Sequence, residues 1–427
     1  MTLWVLFGSF GILLLMGVPV AFTLGIASIV TVLYMGLPPE LVMQRMAAGM
    51  NAFALMAIPF FIYAGELMLH GGIAERLVRL ASAAVGHIRG GLGLVNVVSS
   101  MLFGGISGSA VADVSALGST LVPVMKQRGY DADYAVNVTV TSATIGLTVP
   151  PSHNMIIYAI AAGGTVSISS LFLAGIVPGV LTGLCLMVTA YLIALKRGYP
   201  KEAFPGLKAL GLSLVAALPG LVTAVIIVGG VLSGVFTATE SSAIAVLYAL
   251  LVTVVVYRSL TLQGFLTATR NAVKTTAMVL LIIGTATAFG WLLAFNQVPA
   301  LLFELLQSIS DDPVVILLII NVILLFLGTF MDMAPLIVIT TPIFLPVVTE
   351  LGMDPVQFGI VLMINLGLGL VTPPVGSVLF VGCAVGKIPI EATLKTIWPF
   401  YLAIAVALLL VTYVPALSMT LPHWFAP

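Results

Sequence analysis

The sequence predicts an all-α polytopic membrane protein built as an inverted structural repeat, with two re-entrant helical hairpins. Three observations predict it. The first is composition: 61% of residues are hydrophobic, only 7% are charged, and the mean hydropathy is +1.24. A soluble fold of 427 residues has no interior large enough to hide that much apolar surface. Apolar runs of roughly twenty residues, the length of one span, follow one another from Leu3 to Leu417. The second is a repeat. Phe103 and Phe326, Gly105 and Gly328, Pro123 and Pro346, Gly129 and Gly352, Asp131 and Asp354, Pro150 and Pro373, and Pro151 and Pro374 share one offset (326 − 103 = 223). A constant register across these pairs marks an internal duplication. The third is how the paired segments are broken. Phe103-Gly-Gly-Ile-Ser-Gly-Ser109 and Thr148-Val-Pro-Pro-Ser152 interrupt the first half; Phe326-Leu-Gly-Thr-Phe-Met-Asp332 and Thr372-Pro-Pro-Val-Gly376 interrupt the second. Matching breaks in two halves of a membrane chain point to a transport site.

Taken in order, residues 1–200 form the first repeat. Helices occupy 4–70, with Gly17-Val-Pro19 folding the opening run into two short ones, because 34 residues from Leu3 to Gly36 exceed a single span. An amphipathic arm at 73–87 sets Ile73, Leu77, Leu80 and Ala84 on one stripe, with Arg76 and Arg79 facing away. A hairpin at 90–125, a broken helix at 131–163 and a helix at 168–195 complete the half. The second repeat, 201–427, carries helices over 209–257, an arm at 261–275 and a helix at 276–296. A second arm follows at 298–310, with Leu301, Leu302, Leu305 and Ile309 as its stripe. A hairpin at 313–350, a broken helix at 355–386 and a C-terminal helix at 396–416 end the chain. Trp4, Trp398 and Trp424 read as interface anchors.

The charges orient this plan. Tracing the chain through two re-entrant hairpins leaves Arg45 alone on one side and the other fourteen of the fifteen Lys and Arg residues on the opposite side. By the positive-inside rule the crowded side is cytoplasmic, so both termini lie outside. The two halves then run in opposite orientations, as an inverted repeat requires.

The breaks carry the chemistry. Non-helical backbone at mid-membrane survives only inside protein or along a watery cavity. At a hairpin tip, half-helix carbonyls ligate a hard cation such as Na⁺ and half-helix amides favour a carboxylate. Gly104, Gly105, Gly108 and Gly328 permit tight turns, while Ser107, Ser109, Thr329 and Asp332 add side-chain oxygens. The double prolines remove helical donors and free preceding carbonyls, flanked by Thr148, Ser152, Thr372 and Gly376. Each tip with its proline break makes one cation site. Among acids in apolar segments, Asp332 is the best placed for cation or substrate. Asp113 is placed to orient the first tip, and Glu66 and Glu240 read as structural. His153 and Asn154, just past the first proline pair, either face substrate or cap freed carbonyls.

Several classes are excluded. No basic surface suggests nucleic acid, and Cys185 and Cys383 sit in apolar segments as small buried groups. No phosphate-binding loop, HExxH helix or nucleophile–base pair is present, so no enzyme activity is expected.

At these residues the chain resembles the large membrane subunit (DctM-like) of TRAP transporters, within the ion transporter superfamily. Ser107-Gly-Ser-Ala-Val-Ala-Asp113, Pro150-Pro-Ser152, Gly234-Val-Phe-Thr-Ala-Thr-Glu240 and Thr372-Pro-Pro374 carry the resemblance, which runs from Leu3 to Leu417. It implies an elevator-type protein, with a scaffold and a moving transport domain, in the bacterial inner membrane. It implies a small four-helix membrane subunit and a periplasmic substrate-binding protein as partners. It further implies sodium-driven uptake of an organic acid anion, a C4-dicarboxylate or a sugar acid. The resemblance maps sodium onto Gly105, Ser107, Gly108, Thr148 and Pro150, and onto Gly328, Asp332, Thr372 and Gly376. Substrate is expected at Ser109, Ser152, His153, Asn154 and Thr329. His153-Asn154 and the Thr-Ala-Thr-Glu form of the second-half segment depart from the common pattern. A standalone sodium/carboxylate symporter is the alternative, but tips reading Ser-Gly-Ser and Met-Asp-Met differ from the Ser-Asn-Thr tips of that group. A non-transporting scaffold leaves the duplicated breaks without a use.

Overall fold

In the computed structural model, which describes residues 1–425, every described element is helical. Backbone donors and acceptors in hydrocarbon must be satisfied within the segment, and apolar helices do this. The chain opens with α1 (Thr2–Leu15) and α2 (Val20–Tyr34), parted at Gly17 (φ +77°) and Pro19, as the length of the run required. Next come α3 (Glu40–Met50), α4 (Ala57–His70) and α5 (Ile73–Val85). The first hairpin climbs along α6 (Gly91–Ser107) and returns through α7 (Ala110–Asp113), a π-helical turn (Val114–Gly118) and α8 (Ser119–Gln127). The first broken segment is α9 (Ala132–Ala143), a 3₁₀ turn (Thr144–Leu147) and α10 (His153–Ala161), followed by α11 (Ile168–Lys196).

The second half places α12 (Leu207–Leu232), α13 (Ala238–Leu251), α14 (Leu262–Phe295) and α15 (Val298–Ile309) before its hairpin, α16 (Pro313–Gly328) and α17 (Met333–Glu350). Then follow α18 (Pro355–Leu370), α19 (Ser377–Gly386), α20 (Ile390–Leu394), α21 (Trp398–Tyr413) and α22 (Ala416–Phe425).

Packing sorts the helices into two groups. α4 packs on α13 and α14, and α14 also receives α2 and α3. The second group surrounds the hairpins: α6 packs on α9 and α11, α16 on α18, and α18 and α11 on α21. Hydrogen bonds tie the two halves of this second group. Tyr158 Oη donates to the Pro355 carbonyl (2.6 Å), Asn137 Nδ2 to Thr396 Oγ1 (2.9 Å) and Lys126 Nζ to the Gly386 carbonyl (3.2 Å). α14 meets α17, and α4 meets α6 and α10, where the groups face each other.

Two expectations are corrected. The arm at 261–275 and helix at 276–296 are one 34-residue helix, α14. No proline interrupts it, and the polar Arg270, Asn271 and Lys274 that suggested an interface arm lie on its exposed side while Ala268 and Ala272 are buried. On α15 the expected stripe faces outward, with Leu301, Leu305 and Ile309 exposed, and Leu306 is the residue buried against the protein. An apolar face turned to lipid costs nothing, so burial inside protein does not follow from amphipathicity here. The returning arm of the first hairpin also includes the π turn Val114–Gly118. In addition, α20 and α22 form where no helix was expected. Glu240 has the structural part foreseen for it: it closes a capping box with Thr237 at the start of α13.

Candidate functional site

Both hairpin tips arrive at one cavity of about 940 Å³. One wall is built from the first tip (Ser107 to Ala112), the start of α10 (His153, Asn154) and the second tip (Asp332 to Pro335). The facing wall comes from α2, α4 and α14. Six of the expected site residues therefore converge: Ser107, Gly108, Ser109, His153, Asn154 and Asp332.

The first tip is held by its own polar groups. The Gly104 carbonyl accepts from Gly108 N (2.7 Å) and from Ser107 Oγ (3.4 Å), ending α6. Gly108 then adopts φ +61°, and a Cβ there would lie 2.6 Å from His153 Nδ1. Only glycine satisfies both demands. Asn154 Nδ2 donates to the Gly108 carbonyl (3.0 Å), so Asn154 stabilises the tip from the proline break. Ser109 starts the returning arm as an N-cap, its Oγ accepting from Ala112 N (3.3 Å).

The second tip repeats this in register. Asp332, aligned with Ser109 (332 − 223 = 109), caps α17, its Oδ1 accepting from Met333 N (3.0 Å). The residue remains exposed on the cavity wall. Thr329 Oγ1 donates to the Phe326 carbonyl (2.8 Å), and the Thr329 carbonyl accepts from Val375 N (3.1 Å) and Gly376 N (3.3 Å). Those two bonds lock the second tip onto the second proline break.

Eight expected residues stand behind the tips: Gly105, Thr148, Pro150, Ser152, Gly328, Thr329, Thr372 and Gly376. A Cβ on Gly105 would lie 2.9 Å from the Pro150 carbonyl oxygen, so the first tip rests on the break itself. Both double prolines are cis. Among the described residues, the carbonyls of Thr148, Val149 and Pro150, and those of Thr372, Pro373 and Pro374, accept no hydrogen bond from the protein. The Ser152 and Ser377 hydroxyls, one at each break, are buried and unpartnered. Free oxygens with few competing donors are the donor set of a hard monovalent cation, so these residues fit sodium.

The facing wall was not foreseen. Glu66 of α4 lines the cavity and accepts from Asn271 Nδ2 of α14 (3.1 Å); Thr275, and Ser115 from the returning arm, line it too. Asn271 escaped notice because flanking Arg270 and Lys274 placed it on an interface arm. Glu66 reads as structural in the sequence, yet here it faces the cavity. Among the described lining residues there is no Lys or Arg, while Glu66 and Asp332 contribute carboxylates.

A cavity between paired, broken hairpins and a wall of spanning helices defines a multi-pass membrane transport protein. Residues 7–417 match the family described as the tripartite ATP-independent periplasmic transporter, DctM component, and the chain belongs to that family. It is 42% identical to the sialic acid TRAP transporter large permease protein SiaM of Vibrio cholerae, over 98% of both chains. It is 36% identical to the C4-dicarboxylate TRAP transporter large permease protein DctM of Rhodobacter capsulatus, over 99% of both. The fold is shared with the Alcanivorax borkumensis YdaH transporter (TM-score 0.60, 14% identity, 86% of both chains covered).

Proposed function

We propose that this chain is the membrane subunit that carries an organic acid anion into the cell on a sodium gradient, as part of a tripartite system in the bacterial inner membrane. The observation that supports it most is the cavity shared by both tips, backed by two breaks with unengaged carbonyls. Named cargoes differ between relatives, sialic acid for one and C4-dicarboxylates for another. The cargo class proposed here is therefore a small carboxylate, of C4-dicarboxylate or sugar-acid type.

Residues that would hold sodium are Gly105, Ser107, Gly108, Thr148 and Pro150 at the first hairpin, and Gly328, Asp332, Thr372 and Gly376 at the second. A bound sodium ion supplies positive charge that the lining lacks. The chain's own residues do the rest. Ser109, His153 and Asn154 face the substrate directly, Thr329 ties the second tip to its break, the unpartnered Ser152 hydroxyl stands available at the first break, and the glycines let the tips close on their breaks.

The two packing groups support an elevator motion, with α2, α4, α13 and α14 as the fixed wall and the hairpin group as the moving body. The cavity runs past Glu66, Leu69 and Asn271, toward the ends of α4 and α14 next to Arg76 and Arg270. With the positive side cytoplasmic and both termini periplasmic, this cavity would open inward, as in an inward-facing state. Partners are a small four-helix membrane subunit and a periplasmic binding protein that delivers the anion.

Reconstitution tests the reading. Proteoliposomes containing this chain, its small subunit and the loaded binding protein should accumulate substrate under an inward Na⁺ gradient. Equal uptake with K⁺ in place of Na⁺ removes sodium coupling. Uptake by this chain alone favours the standalone symporter.

A further inference from the structure

Behind the first hairpin the protein buries a carboxylate that nothing holds. Asp113 ends α7, four residues past Ser109, and is 1% exposed. Neither of its carboxylate oxygens has a hydrogen-bond partner. Ser100 of α6 is the polar side chain that acts on the Asp113 carboxyl, and its buried hydroxyl likewise has no partner at hydrogen-bond geometry. The backbone turns π-helical immediately afterwards, from Val114 to Gly118, a distortion frequent at functional sites. A charged carboxylate left bare in such a place is strongly unfavourable, so the group is either protonated or matched with a positive charge or a cation.

The repeat shows what this charge is for. In the second half the carboxylate of the returning arm is Asp332, at the cap. The aligned first-half cap is Ser109, which is neutral, and the residue aligned with Asp113 is the buried Leu336 (113 + 223 = 336). Leaving aside Glu350 at the far end of α17, each hairpin thus carries one carboxylate near its tip, one turn deeper in the first than in the second. The oxygens assigned to the first cation site belong to Gly105, Ser107, Gly108, Thr148 and Pro150, all uncharged. α7 packs on the 3₁₀ turn Thr144–Leu147, which leads directly into Thr148 and the proline break. The unpaired charge therefore lies beside the element that holds the neutral oxygens.

We propose that Asp113, with Ser100, is the counter-charge of a monovalent cation site at the first hairpin, the part that Asp332 plays at the second. This rests on the sodium reading above. A cation among neutral oxygens alone keeps its full charge in a low-dielectric interior, where a carboxylate nearby is worth far more than in water. The two halves then hold one compensated cation each, although the acids do not align in sequence.

The test uses the purified chain in detergent, Na⁺ alone as the ligand, and thermal unfolding at constant ionic strength with K⁺ replacing Na⁺. Wild-type protein should be stabilised by Na⁺ over K⁺ in a saturable manner. Asp113→Asn should raise the Na⁺ concentration for half-maximal stabilisation at least tenfold in one phase. It should also unfold no earlier than wild type in K⁺, because a neutral amide removes the unpaired charge. Ser100→Ala should shift the same phase in the same direction by a smaller factor. A wild-type Na⁺ curve in Asp113→Asn overturns the proposal, and is the result expected if the carboxyl only carries a fixed proton. If Asp113→Asn does not fold, an unchanged curve in Ser100→Ala overturns it instead. Wild-type protein that does not distinguish Na⁺ from K⁺ sinks the sodium reading together with the proposal.

Discussion

Ser109 and Asp332 occupy the same position of the repeat and do the same local work, each capping the helix that leaves its tip. Their difference lies in what remains after capping, since Asp332 still presents a carboxylate to the cavity. Asp332→Asn keeps a cap-capable side chain and removes the charge, so uptake should fall at least about tenfold, equivalent to roughly 1.4 kcal/mol, with little change in thermal stability. Full uptake in Asp332→Asn dismisses the residue from the site. Gly108→Ala should do the opposite. A side chain at φ +61° costs roughly 1–2 kcal/mol, and its Cβ meets His153. Thermal unfolding in detergent should therefore shift downward as uptake is lost. Gly17 is the control: φ is +77°, nothing lies within 4 Å of its Cβ, and it sits in the α1–α2 turn. Gly17→Ala should cost about the same backbone strain while leaving uptake intact.

At the scale of elements, helix–helix distance is set by glycines facing glycines. A Cβ on Gly146 would lie 2.5 Å from the Gly104 Cα, and one on Gly369 would lie 2.6 Å from the Gly328 Cα. Each hairpin's first arm is pressed backbone to backbone against the helix that its proline break interrupts, as small residues allow in membranes. Gly146→Val should force α6 off the 3₁₀ turn before the break and cost about 1–3 kcal/mol. The measurement is thermal unfolding, and an unchanged midpoint would show that the two backbones are free to separate. Sequence pattern located these elements well where a break had a residue to cause it, at Gly17, Gly108, Pro150 and Pro373. It failed on α14, where charge at Arg270 and Lys274 mimicked the end of a span inside one unbroken helix. Length and hydropathy do not reveal that a long helix extends beyond the bilayer with a polar face turned to a cavity. The stripe of α15 was legible, but not what it would meet: lipid and protein interior are equally apolar, so a hydrophobic face does not say which one it faces.

Across the whole molecule, the hairpin group and the wall of α2, α4, α13 and α14 meet around one cavity. In the inward-facing reading, Ser115 and Asn271 lie on the cytoplasmic side of the tips. After Cys185 and Cys383 are replaced by alanine, Ser115→Cys and Asn271→Cys should be modified by an impermeant thiol reagent in inverted vesicles and protected in intact spheroplasts. Modification from the outside alone would reverse the orientation. Six of the expected site residues reached the cavity because turns and proline breaks are local, and the offset of 223 pairs them without a structure. Glu66, Asn271 and Thr275 come from separate helices of the facing wall. No local pattern links residues 66 and 271, which only the packing of α4 on α14 brings within 3.1 Å.

The sequence by itself determined the membrane class, the duplication, the two broken tips and the family. Each of these follows from composition, from register, or from what glycine and proline impose on their own backbone. Only the tertiary structure decided which oxygens are engaged and which are left free. It locked the Thr329 carbonyl to Val375 and Gly376, left the Thr148 and Pro150 carbonyls unpaired, and buried Asp113 with no partner. Satisfaction of a polar group depends on what a distant segment places beside it, and residues 44 to 205 positions apart in the chain supply such neighbours here.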